Sequence, residues 1–284
     1  MSNARFGLRV RSGLVGSIIQ GLPNNSFLLD QYPISVAAFS FRLLRRNYSG
    51  SCIRVRRSSD NLEQDIGFNN NAILDMDSLT SFASGGDTYI SRWYDQSGNQ
   101  RDLSQTALLS QPQIVYAGVV STYNNKIALN SSTNKNLIAT GFTFNTLVNQ
   151  LGIFGVTLLP VTGGGLLEFA TTDNSGGPNF LFRNNSTNIQ IWTNGAYFLS
   201  GNKLANPYNL VSLLSITGNW QLYLNDTSVG TGSRVNAGTA PLRLFSGFPG
   251  FYNSIVQEIV FYSTDQTSNR VGIQSNINSY YNIY

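Results

Sequence analysis

From residue 36 onward, apolar residues recur in short runs separated by polar turns rich in Gly, Asn and Ser. Several runs alternate apolar and polar positions, which is the period of a β-strand with one buried face. In residues 188–192, Ile189 and Ile191 fall on one face and polar neighbours on the other. Many short strands predict a sandwich or barrel. The predicted strands are residues 36–44, 51–57, 89–94, 112–116, 126–130, 151–159, 165–171, 178–183, 188–193, 208–217, 219–225, 241–246 and 255–262.

Two helices are also predicted. Asp77 is expected to cap a short helix whose inward side chains are Leu79, Phe82 and Ala83. Near the C-terminus, a second helix follows a Ser-x-x-Gln capping box, which begins at Ser263. Its apolar positions recur at helical spacing and comprise Ile273, Ile277 and Tyr280.

The first 35 residues differ from the rest of the chain. Residues 1–35 lack a regular period and contain several glycines and prolines, so we predict an N-terminal arm or docking segment. Residues 36–284 show neither an internal repeat nor a low-complexity linker, and a sandwich of this size commonly stays a single domain. One β-sandwich preceded by an arm is therefore expected.

Composition narrows the chemistry. The chain has no histidine, which excludes Ser-His-Asp and Cys-His catalysis and most zinc or copper sites. A single cysteine, Cys52, excludes an internal disulfide and is expected to be buried. The apolar run at residues 14–19 is too short for a secretion signal, and no run reaches the length of a membrane helix. Any catalysis must use carboxylates, and no cofactor is expected.

Basic residues concentrate at the N-terminal end. Residues 1–59 hold nine Arg against Asp30, whereas the rest holds nine basic and thirteen acidic residues. In the predicted strand 51–57, alternation sets Arg54 and Arg56, followed by Arg57, against apolar Ile53 and Val55. One interpretation is a basic strip for an anionic glycan or nucleic acid; the other is an ion-pairing sheet face or subunit interface. No nucleic-acid-binding motif accompanies the arginines, so a nucleic-acid partner is not expected.

Two segments carry a family resemblance. Residues 53–61 (Ile-Arg-Val-Arg-Arg-Ser-Ser-Asp-Asn) and 93–99 (Trp-Tyr-Asp-Gln-Ser-Gly-Asn) resemble the concanavalin-A-like sandwich domains related to the catalytic domain of fungal α-L-arabinofuranosidase B. The strand at 255–262, the helix after it and the closing Tyr-x-Ile-Tyr resemble the end of such domains in phage and bacterial proteins. The resemblance implies a jelly-roll β-sandwich with a short C-terminal helix, and either sugar cleavage or a binding role.

The resemblance also indicates where catalytic carboxylates would lie. The family uses a Glu nucleophile after a vicinal Cys-Cys and an Asp acid in a Gly-Gly-Asp-Asn loop. The matching stretch here, residues 164–170, has no cysteine and makes Glu168 a weak catalytic candidate; Asp173 or Asp226 would be its partner. The corresponding acid loop, residues 245–252, has no carboxylate. Glu258 alternates with Val256 and Val260 and is expected on a polar face.

Candidate binding and metal residues lie in predicted loops and turns. Asp95 and Asp60 are weak candidates for a calcium or sugar ligand, and an Asx-type turn is the favoured alternative for Asp95. The three tryptophans lie within predicted strands and are expected in the core. Candidate exposed aromatic residues for binding are Tyr197, Phe198, Phe248, Phe251 and Tyr252.

Taken together, these features predict a non-catalytic structural or binding protein. The resemblance to phage domains makes it a bacteriophage virion component located in the virion, with other virion proteins or copies of itself as partners. It would form a homo-oligomer and bind a host surface glycan, without inserting into a membrane. The alternative is a glycoside hydrolase of the arabinofuranosidase type. An aromatic-lined face without paired acids would favour binding, and paired carboxylates across a groove would favour hydrolysis.

Overall fold

A computed structural model describes residues 27–130, 135–143, 150–158, 164–169, 180–185, 187–193, 196–233, 241–245 and 254–284. Within these ranges the helices are α1 (Leu28–Gln31), α2 (Met76–Ala83) and α3 (Arg270–Tyr281), with a 3-10 turn at Leu108–Ser110. The strands are β1 (Ser35–Ser40), β2 (Ile53–Arg57), β3 (Glu63–Ile66), β4 (Thr88–Trp93), β5 (Leu103–Ser104), β6 (Gln113–Tyr116), β7 (Val119–Val120), β8 (Thr122–Tyr123), β9 (Lys126–Ile127), β10 (Leu129–Asn130), β11 (Leu137–Thr143), β12 (Gln150–Leu158), β13 (Gly164–Phe169), β14 (Phe180–Asn184), β15 (Asn188–Thr193), β16 (Ala196–Asn202), β17 (Tyr208–Ile216), β18 (Asn219–Leu224), β19 (Thr227–Ser233), β20 (Pro241–Leu244) and β21 (Ile255–Tyr262).

Antiparallel pairing arranges these strands in two layers. The back sheet runs β19-β18-β17-β12-β21, and both β1 and β10 pair with β21. The front sheet runs β3-β2-β4-β5-β11-β20-β13-β14-β15-β16. Strand β6 pairs with both β4 and β10 and so connects the layers at one edge. The all-β, concanavalin-A-like sandwich with a short C-terminal helix is therefore confirmed.

At the opposite edge the backbones of β16 and β19 come very close. A Cβ at Gly230 would lie 2.6 Å from the carbonyl oxygen of Ser200, and one at Gly201 would lie 2.7 Å from that of Val229. Only glycine permits this approach without displacing backbone. These glycines therefore let the two sheets close at this edge.

Two apolar cores stabilise the layers. Core 1 fills the space between the sheets and includes Trp93, Trp220 and Leu242. Core 2 lies on the other face of the back sheet, where Val260 and its neighbours pack against α1 and α3. The back sheet is thus buried on both faces, which explains why its central strands β12, β17 and β21 are almost wholly buried.

The prediction that Glu258 lies on a polar face is wrong, because α3 covers that face of β21. Val156 pairs with Glu258 but Thr157 pairs with Val256, which leaves Gln257 as the extra residue. The bulge moves Val256 to core 1, whereas Glu258 lies on the face covered by α3. There Glu258 is fully buried and pairs with the Arg42 guanidinium at 2.8 Å.

The predicted helices exist, with different caps. Asp75, not Asp77, caps α2 by accepting a hydrogen bond from the Ser78 backbone N–H at 3.1 Å. Helix α3 begins later than the Ser263 capping box indicates, because its N-cap is Asn269 without a side-chain cap bond. Within the described ranges, no helix is long and apolar enough to cross a membrane.

The described end of the predicted arm packs against the domain. Phe27, Leu28 and Leu29 are buried, and the Leu29 N–H donates to the Leu44 carbonyl at 2.8 Å. Residues 1–26 lie outside the described residues, so a docking arm stays a prediction.

Cys52 is buried, and burial raises the pKa of its thiol.

Candidate active site

The turn after β4 is a hydrogen-bonded clamp. Asp95 Oδ1 accepts from the backbone N–H groups of Ala38 and Ser97, both at 2.8 Å. Asp95 Oδ2 accepts from Ser97 Oγ at 2.7 Å and from the Arg101 N–H at 3.1 Å. The bond to the Ser97 N–H is that of an Asx turn. With four protein donors on its carboxylate, Asp95 holds β1 against the end of β4.

Gln96 extends the same clamp. Its Oε1 accepts from the Leu44 N–H at 2.8 Å, and its Nε2 donates to the carbonyls of Ser40 and Arg42 at 2.9 and 3.1 Å. Gln96 is fully buried. Within the segment that carries the family resemblance, Asp95 and Gln96 thus position backbone and are buried. Within the described ranges, no three His, Cys, Asp or Glu side chains group closely enough to hold a metal ion.

The predicted basic residues have acidic or polar partners. Arg54 pairs with Glu63 at 3.0 Å. Arg56 is buried and donates to Gln111 Oε1 at 2.7 Å. Arg57 pairs at 2.6 Å with Asp60, and this hydrogen bond lowers the pKa of the Asp60 carboxyl. Arg54, Arg56 and Arg57 therefore do not form an open basic strip, and a binding role for them stays a prediction.

A row of directly opposite residues crosses the whole front sheet, one residue per strand. Neighbours along the same strands, such as Trp93, Leu103, Leu242 and Ile191, belong to core 1. Since successive residues of a strand face opposite ways, the row lies on the face turned away from that core. We call it the outer row; from β3 to β16 it comprises Asp65, Arg54, Arg92, Ser104, Ile138, Arg243, Glu168, Leu181, Trp192 and Tyr197.

Glu168 lies in the middle of the outer row. Its register partners are Arg243 in β20 and Leu181 in β14. Directly opposite residues on paired strands share a face of the sheet and lie about 5 Å apart. A cation at that distance favours the ionised form of a carboxyl group. The register therefore places Glu168 at the position of β13 directly opposite Arg243 of β20.

Glycoside hydrolysis needs a second carboxylate close to Glu168, much closer than most acidic residues in the described ranges lie. A retaining pair is about 5–5.5 Å apart and an inverting pair about 6.5–9.5 Å. Burial raises the pKa of Asp102, which suits an acid, but Asp102 lies beside Ser104. Ser104 is three strands from Glu168, or about 14 Å at the usual strand spacing. Asp102 is therefore excluded as the partner.

The two partners proposed from the sequence differ in position. Asp226 follows β18 in the back sheet, and the carbonyl of the preceding Asn225 accepts a hydrogen bond from Gln274 of α3. That turn belongs to the helix-covered side of the molecule, so pairing of Asp226 with Glu168 is wrong. Asp173 lies outside the described residues.

The aromatic end of the outer row differs from the prediction. Trp93 and Trp220 are buried in core 1, as expected, but Trp192 is partly exposed and lies on the outer face. Its ring contacts that of Tyr197 at 5.7 Å between centroids. Placing Trp192 in the core was wrong because alternation shows that a strand has two faces, not which face is covered.

Of the other predicted binding aromatics, only Phe198 falls within the described ranges. Tyr197 and Phe198 lie in strand β16 and not in a loop. Phe198 packs against core 1 and contacts Trp220 at 5.5 Å. Phe248, Phe251 and Tyr252 lie outside the described residues.

Comparisons with known proteins show what this chain is similar to. A family model described as "Alpha-L-arabinofuranosidase B, catalytic" matches residues 30–143. An arabinofuranosidase complexed with arabinofuranosyl-α-1,2-xylobiose superposes with a TM-score of 0.64 and 17% identity. A Glu-to-Gln mutant of a GH54 α-L-arabinofuranosidase soaked with 4-nitrophenyl α-L-arabinofuranoside superposes with a TM-score of 0.65 and 18% identity. Both alignments cover 86% of this chain and 62% of the other, so the chain spans about three fifths of those proteins. A search of curated proteins found no match.

These matches correct the predicted function. The prediction of a non-catalytic bacteriophage virion protein is contradicted by the match to a catalytic-domain model and by similarity to arabinofuranosidase structures. The prediction that the chain is not an enzyme is contradicted on the same grounds. The findings favour the alternative, a glycosidase fold of the arabinofuranosidase type. Partners and cellular location stay predictions.

Proposed function

We propose that the protein is a glycoside hydrolase of the arabinofuranosidase type and that Glu168 is its nucleophile. The observation that carries the proposal is the register of Glu168 directly opposite Arg243 on the outer face of the front sheet. The match of residues 30–143 to the arabinofuranosidase B catalytic-domain model supports it. So does the sandwich fold shared with arabinofuranosidases whose structures contain an arabinofuranosyl xylobiose or an aryl arabinofuranoside.

The proposed chemistry assigns distinct work to the two row residues. In a retaining mechanism a carboxylate attacks the anomeric carbon and forms a glycosyl ester, which water then hydrolyses. The nucleophile must be ionised to attack. Arg243 opposite Glu168 favours that ionised state and so acts as a positioning residue. A basic neighbour is unsuited to a general acid, and we therefore assign Glu168 to attack and not to protonation.

The general acid is proposed to be Asp173. It is the only acidic residue in the connection between β13 and β14, which leaves the front sheet directly after Phe169. Asp102 and Asp226 are excluded by the strand positions given above. Asp173 is therefore a carboxylate close to Glu168 in the sequence. Residues 245–252, the loop expected to supply the acid, contain no carboxylate.

Hydrolysis of two arabinofuranosides tests the proposal. Wild-type protein should release 4-nitrophenol from 4-nitrophenyl α-L-arabinofuranoside and arabinose from arabinofuranosyl-α-1,2-xylobiose. Glu168→Gln should reduce kcat at least about 10³-fold on both, because the attacking group is removed. The matched control Glu63→Gln changes an exposed glutamate at the edge of the same sheet and should leave activity unchanged.

Asp173→Asn separates the two roles. It should impair cleavage of the xylobiose conjugate far more than that of the aryl glycoside, because 4-nitrophenolate leaves readily without a proton. The proposal is wrong if wild-type protein cleaves neither substrate, or if Glu168→Gln retains full activity.

A further inference from the structure

A polar cavity lies on the α3 side of the back sheet. Three elements meet there: the β8–β9 hairpin, the loop that precedes β17 and the end of the chain after α3. The cavity has a volume of about 360 Å³, which is within the usual range of small-molecule sites. None of the described residues that line it is charged; they are Tyr123, Asn124, Asn206, Tyr208, Asn282 and Ile283. The cavity therefore has room for one small, uncharged ring.

Gln257, the extra residue of the bulge in β21, fixes the aromatic wall of the cavity. It is fully buried. Its Nε2 donates to the backbone carbonyls of Tyr123 and Lys126 at 3.0 and 3.1 Å, which holds the β8–β9 hairpin against the back sheet. Its Oε1 accepts a hydrogen bond from the Tyr208 hydroxyl. The rings of Tyr123 and Tyr208 are in contact, with 4.9 Å between centroids. The aromatic wall is thus positioned without a ligand.

The other walls are fixed through the backbone. Asn124 Nδ2 donates to the carbonyls of Tyr281 and Asn282 at 2.9 and 3.2 Å, which ties the hairpin to the end of α3. Asn206 Oδ1 accepts from the Tyr208 N–H at 3.0 Å and so forms an Asx-type turn before β17. These bonds hold the cavity open and leave several polar groups of its lining unused.

Three polar groups around the cavity have no hydrogen-bond partner within the described part of the chain. They are the Tyr123 hydroxyl, the Asn206 Nδ2 and the Asn282 carboxamide. A carboxamide both donates and accepts, and so does each hydroxyl group of a sugar, so the two match. The phenol ring of Tyr123 adds an apolar face on which the C–H face of a sugar can pack.

The cavity is separate from the proposed catalytic residue. Tyr208 packs in core 2, on the α3 side of the back sheet, whereas Glu168 belongs to β13 of the front sheet. The back sheet therefore lies between the cavity and β13, and stacked sheets are about 10 Å apart. A ring bound in the cavity is out of reach of a bond attacked at Glu168.

We propose that this cavity is a non-catalytic site that binds one neutral sugar ring. The C–H face of the ring packs on Tyr123, and its hydroxyl groups bond the free amide groups of Asn206 and Asn282. A sugar with an ionised carboxylate is disfavoured, because the lining offers no cation to pair with it. The proposal goes beyond the proposed function and does not depend on it: it gives the protein a second place at which to hold a glycan.

Saturation-transfer NMR tests the site. The probes are glucose, galactose, mannose and xylose, with glucuronate as the charged control. The protein should transfer saturation to at least one neutral sugar and less to glucuronate. Asn282→Gly removes a free carboxamide and suits the positive φ of 50° at that position. Asn206→Asp keeps the acceptor of the turn but removes the free N–H donor. Each variant should raise the Kd of the bound sugar about tenfold, since each loses a hydrogen bond to the ligand.

Asn125→Gly is the matched control. Asn125 is exposed in the turn of the same hairpin, has a positive φ of 58° and does not line the cavity, so this variant should bind the sugar like wild type. Glu168→Gln should also bind it like wild type, even if the protein hydrolyses no arabinofuranoside, which separates this proposal from the proposed function. Four results would each overturn the site: no transfer to any neutral sugar, equal transfer to glucuronate, an unchanged Kd in both cavity variants, or loss of binding in Glu168→Gln.

Discussion

Arg243 in β20 lies directly opposite Glu168 in β13, on the face of the front sheet turned away from the apolar core. The two residues are 75 positions apart in the chain and come together only through strand pairing. Under the proposed assignment of Glu168 as nucleophile, a guanidinium opposite it favours the ionised form that attack needs.

Replacing Arg243 should therefore alter the pH dependence of catalysis. Under the proposed assignment of Glu168 as nucleophile, removing the positive charge opposite it disfavours the ionised form, so Arg243→Met should lose most activity on the acid side of the profile. The measurement is kcat/KM against pH with the aryl arabinofuranoside. Arg92→Met is the control, since Arg92 is four strands away, about 19 Å, beyond the screening length in physiological salt. If the acid side of the kcat/KM profile is the same in Arg243→Met as in wild type, Arg243 does not have the positioning role proposed for it.

The buried ion pair beneath α3 should dominate stability. Arg42 Nε and Nη2 donate to Glu258 at 2.8 and 2.9 Å, and Ser40 Oγ adds a third hydrogen bond to the same carboxylate. Arg42→Met leaves a buried, unpaired carboxylate and should cost about 3–5 kcal/mol of unfolding free energy. Urea denaturation measures the loss. In contrast, Arg54→Met breaks a partly exposed pair and should cost less than about 1 kcal/mol. Similar losses in both variants would contradict the account.

Two aspartates should shift stability with pH in opposite directions. Burial raises the folded-state pKa of the Asp102 carboxyl above 3.8. Between the folded-state and unfolded-state pKa values, the folded protein therefore binds more protons than the unfolded chain. Protonation of Asp102 consequently stabilises the folded protein increasingly as pH falls. Asp102→Asn should remove that dependence and be at least as stable as wild type at pH 7. The hydrogen bond from Arg57 lowers the pKa of Asp60, so its contribution is present at pH 7 and is lost as pH falls below its folded-state pKa. Urea titrations at pH 3 to 7 measure both; the same sign for both aspartates would refute the assignment.

The closed edge of the sandwich should tolerate no side chain at Gly230. A Cβ there would lie 2.6 Å from the Ser200 carbonyl oxygen, so Gly230→Ala should push β19 away from β16 and destabilise the fold by about 1–3 kcal/mol. Thermal unfolding followed by circular dichroism measures this. Ser228→Ala, two residues earlier on the same strand and exposed, should have little effect. Equal melting temperatures for the two variants would show that the edge can open without cost.

Much of the fold was predictable because strand alternation is local. Most predicted strands overlap observed ones, and the sandwich class is confirmed. Strands β16 and β19 were missed because glycine and serine weaken the apolar pattern, and their glycines make sense only when the opposing backbone is known. The prediction for Glu258 is wrong because both faces of the back sheet are covered, and a single sequence does not show that α3 packs on the face of β21 that holds Glu258.

The site was predictable only in part. The sequence predicts Glu168 as a weak catalytic candidate, which stays a prediction, and its position opposite Arg243 follows from non-local register, which a single sequence does not show. The lack of an acid in residues 245–252 favours a non-catalytic protein, and the similarity to arabinofuranosidases contradicts that prediction. The two faces of a sandwich strand have the same two-residue period. Alternation therefore does not show whether Trp192 faces the core or the outer side of β15.

The most direct test of the central proposal is to identify the residue that reacts with an arabinofuranose-like electrophile. A cyclic sulfate inhibitor, the class present in a third arabinofuranosidase structure with a TM-score of 0.64, is opened by a carboxylate to give a stable ester. The protein would be incubated with it, digested and mapped by mass spectrometry. We predict one adduct, on the peptide that contains Glu168, and none in Glu168→Gln. An adduct on another carboxylate, or an unmodified wild-type protein that still hydrolyses arabinofuranosides, would contradict the account.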